Sequence, residues 1–208
     1  MELILKLREQ VIEGEEELVV DLVKEALEKG IDVGTIVQDG LIEAMNIVGP
    51  KMASGELFIP EVLRCAEAMK EGLEIVKPLL KAGDVKSAGK VVIGTVKGDL
   101  HDIGKNLVAM MLESSGFEVI DLGISQPEES FIKAVEDHNP DIVGVSALLT
   151  TTLPAMRDIV KILKEKRIAA KVIVGGAPVD EDFAREIGAD GYAFDGAEAV
   201  LLAKKIMA

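Results

Sequence analysis

Two residues near the middle of this sequence have the types and spacing needed to hold a metal. His101 is one of two histidines among 208 residues, and imidazole is a good ligand for transition metals. Asp99 lies two positions earlier, close enough for its carboxylate to accept the second ring N–H. Such a relay would fix the tautomer and raise the basicity of the ligating nitrogen. By itself an Asp-x-His pair is more often a capping aspartate beside a solvent-facing histidine. Glycines add to the pattern. Gly104 follows His101 by three positions, and Gly175-Gly176 forms a pair further on; glycine admits a ligand close to the backbone. A lone glycine pair after a strand is more often an ordinary tight turn. Ser146 and Thr152 offer hydroxyls but have no evident general base. His138, before Asn139-Pro140, reads as a helix-end residue. Cys65 is the one cysteine, so it excludes an internal disulfide and a multi-cysteine zinc site. It stands in the apolar stretch Val62–Ala66 and reads as a small buried hydrophobe.

The elements around these residues change rhythm partway along the chain. The first eighty or so residues have helical periodicity. Leu18, Leu22 and Ala26 recur at a spacing of four, and Val19, Val23 and Leu27 widen the stripe. Gly30 ends that helix. A second helix is expected over roughly 34–48, and a third from Pro60, with Val62, Leu63, Ala66, Met69, Leu73, Val76 and Leu80 as its stripe. With the amino-terminal segment this predicts a four-helix bundle over 1–83. The small, polar stretch 81–89 reads as a linker, with 84–89 as its core. Beyond it strands and helices alternate. Strands are expected at Val91–Val96, Glu118–Leu122, Ile142–Ser146, Val172–Val174 and Gly191–Ala193. Helices are expected from Ile103 and over 127–138, 152–167, 180–187 and 196–206. The fold class is therefore α/β: a helical bundle, then a flavodoxin-like (Rossmann-like) parallel sheet of order 2-1-3-4-5 over 90–208. Ligands of such sheets bind beyond the carboxyl ends of the strands, at the switch point between strands one and three. The loops at 98–106, 146–152 and 175–177 all lie on that edge.

Composition removes several alternatives. The net charge of −14 would repel a phosphate backbone, so no nucleic-acid partner is expected, and a basic docking partner suits it better. No segment reaches the ~20 apolar residues of a membrane span, and the start of the chain has no run suited to a signal peptide. A cytoplasmic protein without membrane attachment is expected. The loop after the first strand has neither the P-loop spacing nor the dinucleotide fingerprint.

Taken together and in order, Asp99-x-His101-x-x-Gly104, Ser146-x-Leu148 and Gly175-Gly176 resemble the signature of the cobalamin-binding domain. Methionine synthase, several mutases and the corrinoid proteins of methyltransferase systems share it. The resemblance implies cobalamin as cofactor, with His101 replacing the cofactor's own base as lower axial ligand to cobalt and Asp99 behind it. It implies that Gly104, Ser146, Leu148, Gly175 and Gly176 line the channel for the nucleotide tail. Asp102, Ile103 and Thr150, in the same loops, are counted with the cofactor-binding set. Thr152 matches a serine that ends the relay in methionine synthase. The segment Gly49–Leu63 resembles the helical cap of methionine synthase and of the methyltransferase corrinoid proteins, which places Met52, Ile59 and Val62 toward the upper side of the corrin. Methionine synthase has an aromatic where this sequence has Met52.

A chain of cap plus cobalamin domain looks like the small corrinoid proteins of methanol, methylamine, betaine or methoxy-aromatic methyl transfer. That likeness implies a corrinoid subunit that is non-catalytic alone. It would accept a methyl group on cobalt from a substrate-specific methyltransferase and pass it to a second one acting on a thiol or a folate. The linker would act as hinge for the cap, and a reductive activase is a further expected partner. The alternatives are a cobalamin-dependent sensor or regulator, which usually adds a DNA-binding module, and a mutase small subunit, which lacks such a cap.

Overall fold

The computed structural model describes residues 2–79 and 87–208, so the expected linker core 84–89 lies outside the described residues except for its last three. The chain forms two compact units: the first runs to Ser87 and also takes in Ser114–Gly116, and the second comprises Ala88–Glu113 and Phe117–Ala208.

The first unit is helical: α1 (Glu2–Glu13), α2 (Glu16–Glu28), a helical stretch from Val33 to Ala53, and α5 (Ile59–Val76). Helix α2 buries Val19, Leu22, Val23 and Ala26, whereas Leu18 is exposed and Leu27 half-buried. At 100° per residue Leu18 and Leu27 each fall about 90° from the centre of that stripe, so they sit at its margins. The stretch expected over 34–48 is longer and less regular. A short turn α3 (Val33–Thr35) leads into a π-helical segment, Ile36–Ile42, and then α4 (Glu43–Ala53), which runs through Pro50. Within the π segment Gly40 lies so close to α1 that an added Cβ would meet Leu7 Cδ2 at 2.7 Å. The Arg8 guanidinium donates twice to the Asp39 carbonyl, at 2.9 and 2.6 Å. Helix α5 starts one residue before the expected Pro60, where the Glu61 carboxylate accepts from the Phe58 amide at 2.8 Å.

The second unit is a five-stranded sheet of order β2-β1-β3-β4-β5, parallel throughout, as the strand–helix alternation predicts. Its strands are β1 (Gly89–Thr95), β2 (Phe117–Asp121), β3 (Ile142–Ser146), β4 (Lys171–Gly175) and β5 (Gly191–Ala193). Strand β1 begins two residues earlier than its β-branched run because Gly89 and Lys90 already pair with Phe117 and Glu118. Helices α6 (Ile103–Ser114), α7 (Glu128–His138), α8 (Leu153–Glu165), α9 (Glu181–Ile187) and α10 (Gly196–Met207) connect and follow the strands. One core joins Phe131 of α7, Met156, Ile159, Val160 and Leu163 of α8, and the buried valines of β3 and β4. Helix α8 starts after a separate turn, Thr150–Thr152, which brings Thr152 back toward β1. Among the described residues no helix is long and apolar enough to cross a membrane.

Candidate corrinoid site

The site is built where the order of strand addition reverses, between β1 and β3. Strands β1 and β3 run side by side, with Thr95 opposite Ser146. The loops that leave their carboxyl ends are therefore neighbours, although about fifty residues separate them in sequence. Asp99 sits between the two loops with none of its side chain exposed, and each of its oxygens has its own task. Oδ1 lies 2.7 Å from His101 Nδ1 and accepts from the His101 amide at 3.1 Å. Oδ2 accepts from the amides of Leu148 and Leu149 at 2.7 and 3.2 Å, with the Thr152 hydroxyl 2.9 Å away.

That donor set controls the charge of Asp99. Burial pushes the carboxyl up. Hydrogen bonds from the Leu148 amide, the His101 ring and amide and the Thr152 hydroxyl outweigh it, and they hold the group well below the usual carboxylate range. A carboxylate only accepts, so Nδ1 of His101 must donate. In the neutral ring the lone pair then belongs to Nε2. Half of the His101 side chain is exposed, so this nitrogen has access to a ligand. The buried Thr95 hydroxyl donates to the His101 carbonyl at 3.0 Å and holds the backbone of the loop as well.

The other sequence-selected residues occupy distinct places. Asp102, at the start of α6, accepts from the Asn106 side chain at 3.2 Å. Ile103 and Gly104 are exposed, and a Cβ added at Gly104 would meet no atom within 4 Å. Ser146 is half-buried at the end of β3, and Leu148 and Thr150 are exposed in the loop beyond it. Gly175 and Gly176 are required by the sheet edge itself. A Cβ on Gly176 would lie 1.8 Å from the Ala147 carbonyl oxygen and one on Gly175 2.8 Å from that of Ala193, and Gly176 has φ +123°. In the first unit Met52 is half-buried, Ile59 exposed, and Val62 buried among the bundle helices.

Some of the site escaped the sequence reading. Leu100, Ile124, Leu149 and Phe194 are exposed, as are Ile103 and Leu148, and all six follow the carboxyl ends of strands. Apolar side chains collected on one sheet edge mark a surface that a ligand or partner covers. Position directly after a strand was the available signal. Thr95 and Ser125, which hold the His101 loop in place, carried none.

The donor chemistry limits which metal could be held here. Among the described residues no group of three or more His, Cys, Asp or Glu side chains is placed to hold a metal ion. A metal whose other ligands belong to a macrocycle needs from the protein only a single imidazole such as that of His101. A broad apolar surface around a single imidazole fits a flat organic ring system better than a bare ion.

Comparison with known proteins agrees with this reading. The B12 binding domain matches residues 89–202, and a second B12 binding domain profile matches residues 3–77. The chain is 42% identical to a corrinoid protein of Desulfitobacterium hafniense, covering 100% of this chain and 98% of the relative. It is 45% identical to dimethylamine corrinoid protein 1 of Methanosarcina acetivorans, over 90% of this chain and 91% of that one. Among solved structures it is similar to the methanol:cobalamin methyltransferase complex MtaBC from Methanosarcina barkeri. The TM-score is 0.88 and the identity 35%, over 99% of this chain and 80% of that chain.

Proposed function

The chain belongs to the B12-binding corrinoid proteins, and from that premise we propose that it is a methyl carrier that serves two methyltransferases, with His101 as the protein's ligand to cobalt. One observation carries the ligand assignment: a half-exposed imidazole whose Nδ1 is taken by a fully buried carboxylate.

When bound, the corrinoid's cobalt supplies the atom on which a methyl group is taken up and released. The work of the chain is to hold and tune that atom. Asp99 sets the tautomer of His101 and strengthens Nε2 as a donor. Thr152 and the Leu148 and Leu149 amides keep Asp99 ionised. Leu100, Ile103 and Leu148 offer apolar surface that excludes water around the imidazole. Gly104 leaves open space beside His101, and Ser146, Thr150, Gly175 and Gly176 stand along the edge where the nucleotide tail would enter. Met52 and Ile59 of the helical unit are assigned to the upper side of the corrin, whereas Val62, expected there too, is 1% exposed and packs inside the bundle. The division into a cap over 1–83, a linker over 84–89 and a cobalamin domain over 90–208 belongs to the same proposal.

The chemistry also defines the partners. A substrate-specific methyltransferase supplies the methyl group, and a second passes it to a thiol or folate. A reductive activase restores cobalt that has been oxidised. A relative assembled as a methanol:cobalamin methyltransferase complex supports the first of these, and the net charge of −14 suits basic docking surfaces on all three.

The test is electron paramagnetic resonance of the cobalamin-loaded protein reduced to cobalt(II), beside His101→Ala. Histidine carrying the heavy nitrogen isotope separates a protein imidazole from the cofactor's own base. Splitting that changes with the label and disappears in the variant is the expected result. Splitting indifferent to the label means that the benzimidazole still holds cobalt, and the assignment of His101 fails.

A further inference from the structure

Lys105 lies four residues after His101, on the first turn of α6, and is the one buried lysine among the described residues, with 3% of its surface exposed. Its ammonium is paired with the Asp121 carboxylate at the end of β2 and bonded to Asn106 Oδ1 at 2.6 Å. A buried ammonium is costly unless a counter-charge and hydrogen bonds satisfy it. Nothing in the proposed methyl-carrier role assigns this lysine a task.

The segment that Asp121 leads into shows what the pair holds together. Asp121 Oδ1 accepts from the Gly123 amide at 2.8 Å, and the Gly123 carbonyl accepts from the Thr95 amide at 3.0 Å. The Gln126 amide donates to the Thr95 carbonyl at 2.8 Å. Ser125 bonds the His101 loop twice: its amide donates to the Asp99 carbonyl at 3.0 Å, and its Oγ accepts from the Gly98 amide at 3.1 Å. Ser125 does this with φ +51°, a left-handed conformation unusual for serine. The segment 121–126 thus bonds to the backbone of the His101 loop, and Lys105 ties the same segment to the helix that begins just after His101.

We propose that the Lys105–Asp121 pair and Ser125 form a brace that positions His101 for cobalt. Lys105 and Asp121 are positioning residues in it, acting through the backbone on both sides of the histidine. The inference rests on the reading of His101 as ligand. Without the pair the protein still folds and still binds corrinoid, but the loop carrying His101 samples orientations that do not reach the metal. The brace sets how completely the imidazole coordinates, and the fold does not depend on it.

The experiment uses cobalamin-loaded, isotope-labelled protein in the cobalt(II) state. Wild type, Lys105→Met, Asp121→Asn and the double variant are compared for the ratio of spectra with protein-nitrogen splitting to spectra without it. Each single change is expected to lower that ratio about tenfold, and the double change to lower it no further, because groups acting as one unit are not additive. Val160→Ala, a core truncation in α8, is the control: it should lower the melting temperature and leave the ratio unchanged. Wild-type ratios in folded Lys105→Met and Asp121→Asn would overturn the brace while leaving His101 as ligand. So would an equal fall in Val160→Ala, since the effect would then track general stability. A wild-type protein with no protein-nitrogen splitting overturns the ligand assignment and the brace together.

Discussion

Replacing Asp99 by Asn changes almost no volume and reverses the instruction given to His101. In the wild type both carboxylate oxygens accept, one from the His101 ring and amide and the other from Leu148, Leu149 and Thr152. An asparagine has one oxygen. If that oxygen keeps the three donors from the β3 loop, its NH2 faces the imidazole and the His101 amide. Nδ1 must then become an acceptor, the ring proton moves to Nε2, and the nitrogen that would ligate cobalt loses its lone pair. The His101 amide also loses its partner. Two hydrogen bonds to a charged group are removed, each worth about 1.5–3 kcal/mol. Loss of a partner behind a metal ligand typically costs about 10–100-fold in affinity, and the upper end is expected here because the tautomer itself is wrong. The assay is the fraction of cobalt(II) protein with protein-nitrogen splitting, alongside a melting curve of the cofactor-free protein. A folded Asp99→Asn protein with wild-type splitting would refute the claim that Asp99 sets the tautomer.

Two further outcomes concern the second unit. Gly176→Ala drives a methyl group into the Ala147 carbonyl and demands an unfavourable φ, so it should destabilise the unit by about 3 kcal/mol or more; a melting temperature unchanged from wild type would show that the strand ends are not so closely packed. Asp190 should give a pH-dependent contribution to stability. Burial raises its carboxyl, but Lys164, the Val172 amide and Lys171 lower it further, leaving it below its ordinary value. A depressed carboxylate stabilises the fold above its unfolded pKa of about 3.9, and that contribution is lost as pH falls through the folded value. Asp190→Asn should therefore melt below wild type at neutral pH, with the gap closing as pH drops below about 4; a gap constant across that range would sink the assignment.

Fold class was readable because both periodicities are local. Runs such as Val91-Val92-Ile93 and Ile142-Val143 have no polar face and so fit strands covered on both sides. The alternation with helices then leaves few topologies for a parallel sheet. Errors came where a local rule meets a tertiary neighbour. Leu18 matches the four-residue spacing but falls at the margin of the buried stripe. The stretch after Val33 continues past its expected end and widens to a π-helix where Gly40 meets α1.

The site divides along the same line. A spacing of two made Asp99 and His101 legible as a candidate pair, because residues so close are within reach of each other in a loop, and the structure brings them into contact. The sequence also placed Gly104, Ser146, Leu148, Thr152 and the Gly175-Gly176 pair at strand ends. Tertiary structure alone decided the rest. The three donors on Asp99 Oδ2 lie about fifty residues further on and arrive only through the pairing of β1 with β3. The burial of Lys105 depends on β2 ending beside α6. The need for Gly176 depends on where Ala147 places its carbonyl. Periodicity and spacing record what a residue does within its own few turns, whereas charge state, burial and close backbone contact are set by whichever distant strand the sheet brings alongside.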